Sequence, residues 1–246
     1  AARRVDRMAG LREAGVHTMS LDVTDAASAQ AAVAQILAEQ GRIDVLVNNA
    51  GYGSYGALED VPLSEAQAQL DVNVLGLARM TQLVLPQLRA QRSGTIINIA
   101  SMGGNFTTPL GAWYHASKYA VEALSDAMRM ELAPFGIDVV VIEPGSIRTE
   151  WGAIAAAAVL ETSGDGPYRT QAEQVATSLG STSAPGARMT SSPEVVARAI
   201  VTAATARRPR ARYRIGFGAK PLVLAHRILP ARVFDRLIRR GMGVAG

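Results

Sequence analysis

The sequence predicts an α/β fold, a doubly wound parallel sheet in one domain, followed by a short helical extension. Three observations predict it. Apolar runs of strand length alternate with stretches of helical periodicity, which is the pattern of βαβ units. The strand-like runs are apolar on both faces, as expected of a sheet that helices cover on each side. Hydrophobic residues make up 48% of the 246 residues, and one α/β domain often reaches this length.

The elements follow from periodicity and from start signals along the chain. The predicted strands are residues 17–23, 44–48, 95–100, 138–143 and 213–217. The predicted helices are residues 5–14, 25–40, 64–91, 112–134 and 193–205. Asp25, Ser64 and either Ser192 or Pro193 are the expected helix starts. Residues 146–190 are rich in small residues with little strand pattern, so we expect a lid or binding loop.

Composition excludes several kinds of site. The chain has no cysteine and three scattered histidines, so disulfides, thiol catalysis and a metal site are not expected. No apolar run reaches the roughly 18 residues of a membrane-spanning helix, and no signal peptide opens the chain. We therefore expect a cytoplasmic protein. Residues 207–246 carry a net charge of +10 and residues 1–206 a net charge of −6.

Tyr114 and Lys118 are the first candidate catalytic pair. They lie four residues apart on a predicted helix, so they share one face, with the ammonium near the phenol. An unperturbed phenol has a pKa of ~10, and a nearby positive charge would lower that pKa until the phenol exchanges protons at neutral pH. Taken alone, the pair is more often a partly buried tyrosine beside a solvated lysine.

Other motifs accompany this pair. They are Ser101 at the end of a predicted strand, the turn Asn48-Asn49-Ala50-Gly51 at the end of another, Asn73 within Leu70-Asp71-Val72-Asn73, and Pro144-Gly145 after a third strand. Together with Tyr114 and Lys118, they make the chain closely resemble the short-chain dehydrogenase/reductase family, with its Rossmann-like fold. The resemblance extends from residue 1 to about residue 218.

The resemblance implies a catalytic role for four residues. Tyr114 would be the proton donor or acceptor, and Lys118 would modulate the pKa of Tyr114 and bind a ribose. Ser101 would hydrogen-bond the substrate oxygen, and Asn73 would anchor a relay water. Hydride reduction of a carbonyl builds negative charge on oxygen, so donors aimed at that oxygen would stabilise the transition state. Without its companions, Asn73 is better read as a buried residue that kinks a helix.

The same resemblance implies a nicotinamide dinucleotide cofactor. Asp22 and Val23 match the adenine contact of the family, whereas Asn48, Ala50 and Gly51 match the wall beside the adenosine ribose. The residues that match the nicotinamide loop are Pro144, Gly145, Ile147 and Thr149, with Tyr114 and Lys118 also facing the cofactor. Each of these positions, taken singly, also fits an ordinary strand cap or turn.

Arg3 and Arg4 lie where members of this family choose their cofactor. Residues 1–4 contain no acid that would bind the ribose 2′-hydroxyl of NAD, whereas a guanidinium pairs well with the 2′-phosphate of NADP. The sequence therefore favours NADP, with NAD as the alternative. Both arginines also fit the description of ordinary surface charges before a helix.

The family's glycine-rich strand-turn-helix should precede Arg3, and the sequence does not contain it. Two explanations stay open: the chain is a fragment of a longer protein, or it is a shortened protein that binds no cofactor. A sheet without its central strand should expose apolar edges, which favours the first explanation. We therefore expect residues 1–218 to be an incomplete Rossmann-like domain.

Residues 219–246 form a basic extension with two predicted amphipathic helices, whose apolar stripes lie opposite the arginines. A similar extension occurs in relatives that resemble retinol and hydroxysteroid dehydrogenases. We expect it to cover the substrate cleft or a subunit surface. Peripheral contact with an anionic membrane is the alternative. Nucleic acid is not expected as a partner, because the arginines lack interleaved aromatic residues.

The sequence therefore favours an NADP-dependent oxidoreductase that interconverts a lipophilic secondary alcohol and a carbonyl compound. A homodimer or homotetramer paired through helices 64–91 and 112–134 is expected from the resemblance. Phe106, Trp151 and Tyr168 are candidate walls of the substrate pocket. The alternatives are a catalytically inactive dinucleotide-sensing or scaffolding protein, and a reductase of substrates carried by an acyl carrier protein.

Overall fold

The computed structural model describes residues 1–184 and 186–244. Ala245 and Gly246, the last two residues of the predicted extension, lie outside the described residues, as does Pro185. The strands β1 to β4 are Val45–Asn48, Gly94–Ile99, Ile137–Pro144 and Arg212–Ile215. The helices α1 to α10 are Ala9–Glu13, Ala26–Gln40, Leu63–Leu70, Leu77–Gln91, Ala112–Leu132, Trp151–Ser163, Arg169–Ser181, Glu194–Thr205, Ala219–Ile228 and Ala231–Gly241.

The strands β1 to β4 form one parallel sheet in the order β1-β2-β3-β4, with helices on both faces. Ile96 in β2 and Val139 in β3 pack against α2 and α4. Ile97 and Val140, the next residues along the same strands, pack against α8. Because neighbouring side chains of a strand point to opposite faces, both sets are buried, which explains why these strands are apolar throughout. The predicted doubly wound α/β fold is confirmed.

The prediction of a strand over residues 17–23 is wrong. An isolated parallel bridge joins Ala2 to Ser20, through hydrogen bonds from Ala2 N to Met19 O at 3.2 Å and from Leu21 N to Ala2 O at 3.1 Å. A ladder needs several paired residues on each side, and Ala2 alone pairs with this segment in the described part of the chain. Residues 17–23 have the apolar pattern of a strand, but among the described residues only Ala2 pairs with them.

The predicted helix over residues 64–91 consists of α3, a π-helical stretch Asp71–Gly76 and α4. Asn73 lies in the π-helical stretch, and such stretches often occur at functional sites. Ser64 does not start this helix, because Pro62 occupies the position before Leu63. Asp25 does cap α2, since its carboxylate accepts hydrogen bonds from the backbone of the first helical turn.

The prediction of a loop over residues 146–190 is also wrong, because the segment contains α6 and α7. Alanine has the highest intrinsic helix propensity, and α6 is largely alanine. Val159 of α6 and Val175 of α7 are fully buried in one cluster with Tyr55 and Tyr114. The two helices therefore cover the region that contains the candidate catalytic tyrosine.

The C-terminal extension forms the two predicted helices, α9 and α10. Val223 of α9 and Phe234 and Ile238 of α10 are buried in one apolar cluster with Phe106. The rings of Phe106 and Phe234 lie 5.3 Å apart. The extension therefore packs on the segment that follows β2.

Gly145, at the end of β3, allows the chain after β4 to approach closely. Its N–H donates to Ile215 O at 2.7 Å, and the N–H of Ser146 donates to Phe217 O at 2.9 Å. A Cβ atom on Gly145 would lie 2.0 Å from the carbonyl oxygen of Phe217, a distance that no side chain tolerates. The chain after β4 can approach residue 145 this closely only because that residue is a glycine.

This close approach predicts that Gly145→Ala lowers the free energy of unfolding by about 1–3 kcal/mol, the usual cost of overpacking. Gly180→Ala in α7 is the matched control, because its Cβ would lie 3.7 Å from Ala156 Cβ. The control should raise stability by up to about 1 kcal/mol through helix propensity. Urea unfolding of both variants measures the effect, and equal changes in the two variants would contradict the packing argument.

Candidate active site

The candidate catalytic residues meet at the carboxyl ends of the strands, where open parallel sheets bind ligands. Lys118 of α5 donates from Nζ to the carbonyl oxygen of Ile99, the last residue of β2, at 2.9 Å. A Cβ on Gly51 would lie 3.2 Å from Asn73 Oδ1 and 3.5 Å from Lys118 Nζ. The amide and the ammonium therefore border one space in front of Gly51.

Ser101 follows β2 with an extended backbone and precedes a 3-10 turn, Met102–Gly104. Its Oγ accepts a hydrogen bond from the backbone N–H of Gly103 at 3.0 Å. The hydroxyl of Ser101 is also close enough to the Tyr114 phenol to lower the pKa of that phenol. The turn thus orients the serine hydroxyl toward the phenol.

Tyr114 is buried under aromatic rings. The ring of Trp151 lies 5.2 Å away and that of Tyr55 5.6 Å away, centroid to centroid. The Lys118 ammonium is hydrogen-bonded to Ile99, and its effect on the pKa of Tyr114 stays a prediction. Burial raises the pKa of the Tyr114 phenol, and the nearby hydroxyl of Ser101 acts in the opposite direction. The phenol is therefore protonated at neutral pH and can donate a proton.

Lys118 is a buried cation. Burial lowers the pKa of its ammonium to about 8, although the carboxylate of Glu122 one turn later acts to raise it. The group is therefore still mostly charged at neutral pH. An ammonium has three N–H donors, and the carbonyl of Ile99 takes one of them. The remaining donors are available to a ligand in the space before Gly51.

Asn73 uses both ends of its side-chain amide. Its Oδ1 accepts from the backbone N–H of Tyr52 at 3.0 Å, and its Nδ2 donates to Tyr52 O at 2.9 Å and to Ser117 Oγ at 2.9 Å. The amide thereby ties the segment after β1 to α5. The relay-water role of Asn73 stays a prediction.

The predicted nicotinamide loop is held in place by its neighbours. Ile147 pairs with Ser191 in a parallel bridge, and Thr149 Oγ1 accepts from Trp151 N at 3.3 Å, at the start of α6. Ser146 Oγ is buried and has no hydrogen-bond partner among residues 1–184 and 186–244. An unpaired buried hydroxyl is costly, so it fits a site that a polar ligand completes. Pro144 and Gly145 set the start of this loop.

The predicted adenosine contacts are more widely spread. Asp22 accepts hydrogen bonds from the N–H and the hydroxyl of Thr24, which lower the pKa of its carboxyl, and the charge of Arg3 adds to this effect. Val23 packs against Gly76, where a Cβ would lie 2.7 Å from Val23 Cγ2. Arg4 is exposed, as is Arg3. The side chains at residues 3 and 22 are therefore close enough to interact.

Asn48 differs from its neighbours in the same turn. Its side chain is buried and donates to Thr81 Oγ1 at 3.1 Å and to Asn98 Oδ1 at 2.9 Å. This amide is committed to joining β1, β2 and α4. Ala50 and Gly51 are exposed at the end of the strand, so they are the residues of the turn that a ribose can reach.

The donor set fits a nicotinamide nucleotide at the catalytic end. Lys118 offers ammonium donors, Ser146 a buried hydroxyl without a partner, and Gly51 a surface without a side chain. The glycine-rich turn that would hold a pyrophosphate does not occur among the described residues 1–184 and 186–244.

The three predicted pocket walls have different environments. Phe106 is buried against α10, so the prediction that it lines the pocket is wrong, because the extension has covered it. Trp151 contacts the ring of Tyr114. Tyr168 lines a largely apolar cavity of about 540 Å³, together with Leu58 and Leu110.

A buried charge network that the sequence reading missed lies beneath Lys118. Glu143 of β3 is fully buried between Arg212 and Arg214 of β4. Arg212 also contacts Glu122 at 3.1 Å and Asp126 at 2.7 Å. Burial and the charge of Glu143 raise the pKa of Glu122, Arg212 opposes both effects, and the resulting pKa is about 7. The sequence signal for this charge network was the four-residue spacing of Lys118 and Glu122.

Comparison with known proteins identifies the family. The short chain dehydrogenase family model matches residues 2–158. A 3-ketodihydrosphingosine reductase of Bacteroides thetaiotaomicron is 46% identical over 134 residues, which are 54% of this chain and 50% of that protein. An NADPH-dependent 3-dehydrocapnine reductase of Ornithobacterium rhinotracheale is 34% identical over 234 residues, which are 92% of this chain and 80% of that protein.

Solved structures agree with the fold. A short-chain dehydrogenase from Streptomyces avermitilis is 31% identical with a TM-score of 0.78, and the match covers 99% of this chain and 88% of that one. A gluconate 5-dehydrogenase from Burkholderia cenocepacia, in complex with NADP and tartrate, is 31% identical with a TM-score of 0.57. That match covers 61% of this chain and 60% of the dehydrogenase.

The buried carboxyl of Glu122 predicts an unusual pH dependence of stability. Its folded pKa of about 7 lies above the model-compound value of 4.5, so between these values the folded state binds more protons than the unfolded state. Stability from this group is therefore lost as pH rises from about 4.5 to 7. We expect Glu122→Gln to remove that loss, so that the variant gains about 2–3 kcal/mol relative to wild type between pH 5 and 7.5.

Glu131→Gln is the matched control, because Glu131 is exposed on the same helix. Urea unfolding of wild type and both variants at the two pH values measures the difference. A difference between wild type and Glu122→Gln that does not change with pH would contradict the prediction.

Proposed function

This chain belongs to the short-chain dehydrogenase family, and we propose that it is an NADP-dependent oxidoreductase that interconverts a lipophilic secondary alcohol and a carbonyl compound. One observation carries the proposal: the Ser101 hydroxyl lies close enough to the buried Tyr114 phenol to lower its pKa. Lys118 is buried on the same helix one turn after Tyr114. A site that only bound a dinucleotide would not need a paired hydroxyl and phenol.

The protein's own residues account for the proton chemistry. In the direction of reduction, the hydroxyls of Ser101 and Tyr114 donate hydrogen bonds to the substrate oxygen, which gains negative charge in the transition state. The protonated phenol then donates its proton, and the Lys118 ammonium stabilises the phenolate that remains. The rings of Tyr55 and Trp151 exclude water from the phenol, and this strengthens the electrostatic interactions. Bound NADPH would supply the hydride.

The preference for NADP rests on Arg3 and Arg4. Both side chains are exposed, and Arg3 interacts with Asp22 at the predicted adenosine end. A guanidinium pairs with a phosphate by charge-assisted hydrogen bonds. The relative from Ornithobacterium is named as NADPH-dependent, and the Burkholderia dehydrogenase was solved with NADP; both support the same cofactor here.

The proposed lipophilic substrate rests on the surroundings of Tyr114. Aromatic rings cover the phenol, and the cavity lined by Tyr168 is mostly apolar. The extension packs onto Met102, the residue after Ser101, and onto Phe106, which supports a role of the extension on the substrate side of the site. The names of the two relatives, a 3-ketodihydrosphingosine reductase and a 3-dehydrocapnine reductase, support reduction of a carbonyl compound.

Partners and location stay predictions. Tyr119 and Met130 are exposed on α5, which supports a homodimer or homotetramer paired through this helix. Leu224 and Leu237 of the basic extension are also exposed, so peripheral membrane contact stays open. No helix in residues 1–184 or 186–244 is long and apolar enough to cross a membrane.

We expect Tyr114→Phe to lower kcat at least a hundredfold, because the phenol donates the proton. Binding of NADPH should stay within a few-fold of wild type. Tyr213→Phe is the control, since it removes a phenol of β4 whose oxygen accepts from the backbone N–H of Arg210, and it should leave kcat unchanged. NADPH consumption with 2-decanone and a fluorescence titration of NADPH measure the two quantities. Near-wild-type turnover by Tyr114→Phe would contradict the proposed mechanism.

For the cofactor, we expect the double variant Arg3→Gln/Arg4→Gln to weaken NADPH binding about ten- to 150-fold, since a charge-assisted hydrogen bond contributes about 1.5–3 kcal/mol. Binding of NADH should change little, because it has no 2′-phosphate. Arg7→Gln, an exposed arginine in the following turn, is the control. Equal weakening of NADPH and NADH would reject the phosphate contact.

A further inference from the structure

His115 is a buried imidazole next to the catalytic tyrosine, and the proposed mechanism does not use it. Its Nδ1 lies 2.8 Å from the carbonyl oxygen of Gly103. Its Nε2 accepts a hydrogen bond from the backbone N–H of Thr108 at 3.1 Å and lies 2.9 Å from Thr108 Oγ1. One ring therefore connects α5 to both ends of the segment 103–108.

These contacts fix the protonation state of the ring. A backbone N–H can only donate, so Nε2 must carry a lone pair. The proton of a neutral imidazole then lies on Nδ1, where it is donated to Gly103 O. Two ring nitrogens with opposite roles require the neutral form and only one of its two tautomers.

The contacts lead directly to the catalytic groups. The N–H of Gly103 donates to Ser101 Oγ at 3.0 Å, while the carbonyl oxygen of the same residue accepts from His115. The Thr108 side chain is close enough to the Tyr55 phenol to lower its pKa, and the ring of Tyr55 packs on that of Tyr114. The imidazole therefore supports Ser101 on one side and the aromatic wall on the other.

Close packing around the His115 imidazole holds the ring in this position. A Cβ on Gly103 would lie 2.8 Å from His115 Nδ1, and a Cβ on Gly111 would lie 2.9 Å from His115 Cδ2. Both glycines leave just enough room for the imidazole. Such close packing holds the ring orientation and with it the two hydrogen bonds.

We propose that His115 is a positioning residue of the reaction: in its neutral form with the proton on Nδ1, it holds the segment 103–108 so that Ser101 faces the substrate oxygen, and its protonation releases this segment. The inference rests on the proposed function for its catalytic consequence, and on the contacts of His115 alone for its structural part.

Protonation would place an N–H on Nε2, directly opposite the N–H of Thr108, and so break that hydrogen bond. Burial lowers the pKa of His115, and the carbonyl groups of Gly103 and Phe106 act against this shift. The titratable groups that face the imidazole are the phenols of Tyr55 and Tyr114, 6.5 and 5.4 Å away between ring centroids, and Lys118 lies one turn further on α5. Because the folded pKa is lowered, the neutral ring persists below the usual titration range and is lost only as pH falls further.

The first test is NMR of the uniformly ¹⁵N-labelled protein. We expect His115 to show the tautomer with the proton on Nδ1 and to titrate below the ordinary histidine pKa of about 6.5. The backbone amides of Gly103 and Thr108 should shift with the same midpoint. A tautomer with the proton on Nε2, or a titration at or above that ordinary pKa, would overturn the inference whether or not the protein is active.

The second test is kinetic and uses His115→Asn and His115→Gln. The asparagine amide can take the place of Nδ1 and donate to Gly103 O, whereas glutamine reaches toward the position of Nε2. We expect kcat with 2-decanone to fall about tenfold or more for glutamine and less for asparagine, with NADPH affinity within twofold of wild type. The fall of wild-type kcat at low pH that follows the His115 titration should disappear in the asparagine variant.

His17→Asn, at an exposed position, is the control and should match wild type throughout. Wild-type kcat and an unchanged pH profile in both His115 variants would reject the positioning role. If wild type itself reduces no carbonyl probe, the proposed function fails, while the NMR titration still decides the structural part of the inference.

Discussion

Burial of charge beside α5 is the constraint around which this site is arranged. Lys118, Glu122 and Glu143 are all buried, and an isolated buried charge costs several kcal/mol. Each has a partner that offsets this cost: Ile99 for the ammonium, and Arg212 and Arg214 for the carboxylates. The partners come from β2 and β4, so the same contacts that satisfy the charges also fix α5 against the sheet.

The fixed position of α5 determines where the candidate catalytic residues lie. Tyr114 and Lys118 lie on one face of that helix, and the segment after β2 brings Ser101 to them. The helices α6 and α7 then cover the phenol with Trp151. A proton donor that is shielded from water keeps its proton at neutral pH, which suits it to protonate a substrate oxygen.

Local signals in the sequence were sufficient for β1 to β4 and for the placement of Tyr114 and Lys118 on one helix. Four-residue spacing placed Tyr114 and Lys118 together, and strand-length apolar runs placed β1 to β4. The predictions failed where the structure of a segment depends on its contacts with another segment. Residues 17–23 have the pattern of a strand but pair only at Ala2, and the alanines of α6 give no apolar stripe that would distinguish a helix from a loop. Contacts such as those of His115 cannot be read from spacing, because their partners are backbone atoms of another segment.

The π-helical stretch Asp71–Gly76 sets the rotational phase between α3 and α4. An α-helix advances by about 100° per residue, so the extra residue of a π turn rotates everything before it relative to everything after it. Ala66 and Gln69 of α3 and Val84 of α4 are buried in this phase, and Asn73 reaches both Tyr52 and Ser117. A one-residue deletion within the stretch would restore an ordinary helix, but it would turn the buried face of α3 toward solvent and take the Asn73 amide out of register with α5. Homologous chains that keep this site must therefore conserve the length of the stretch more strictly than its side chains.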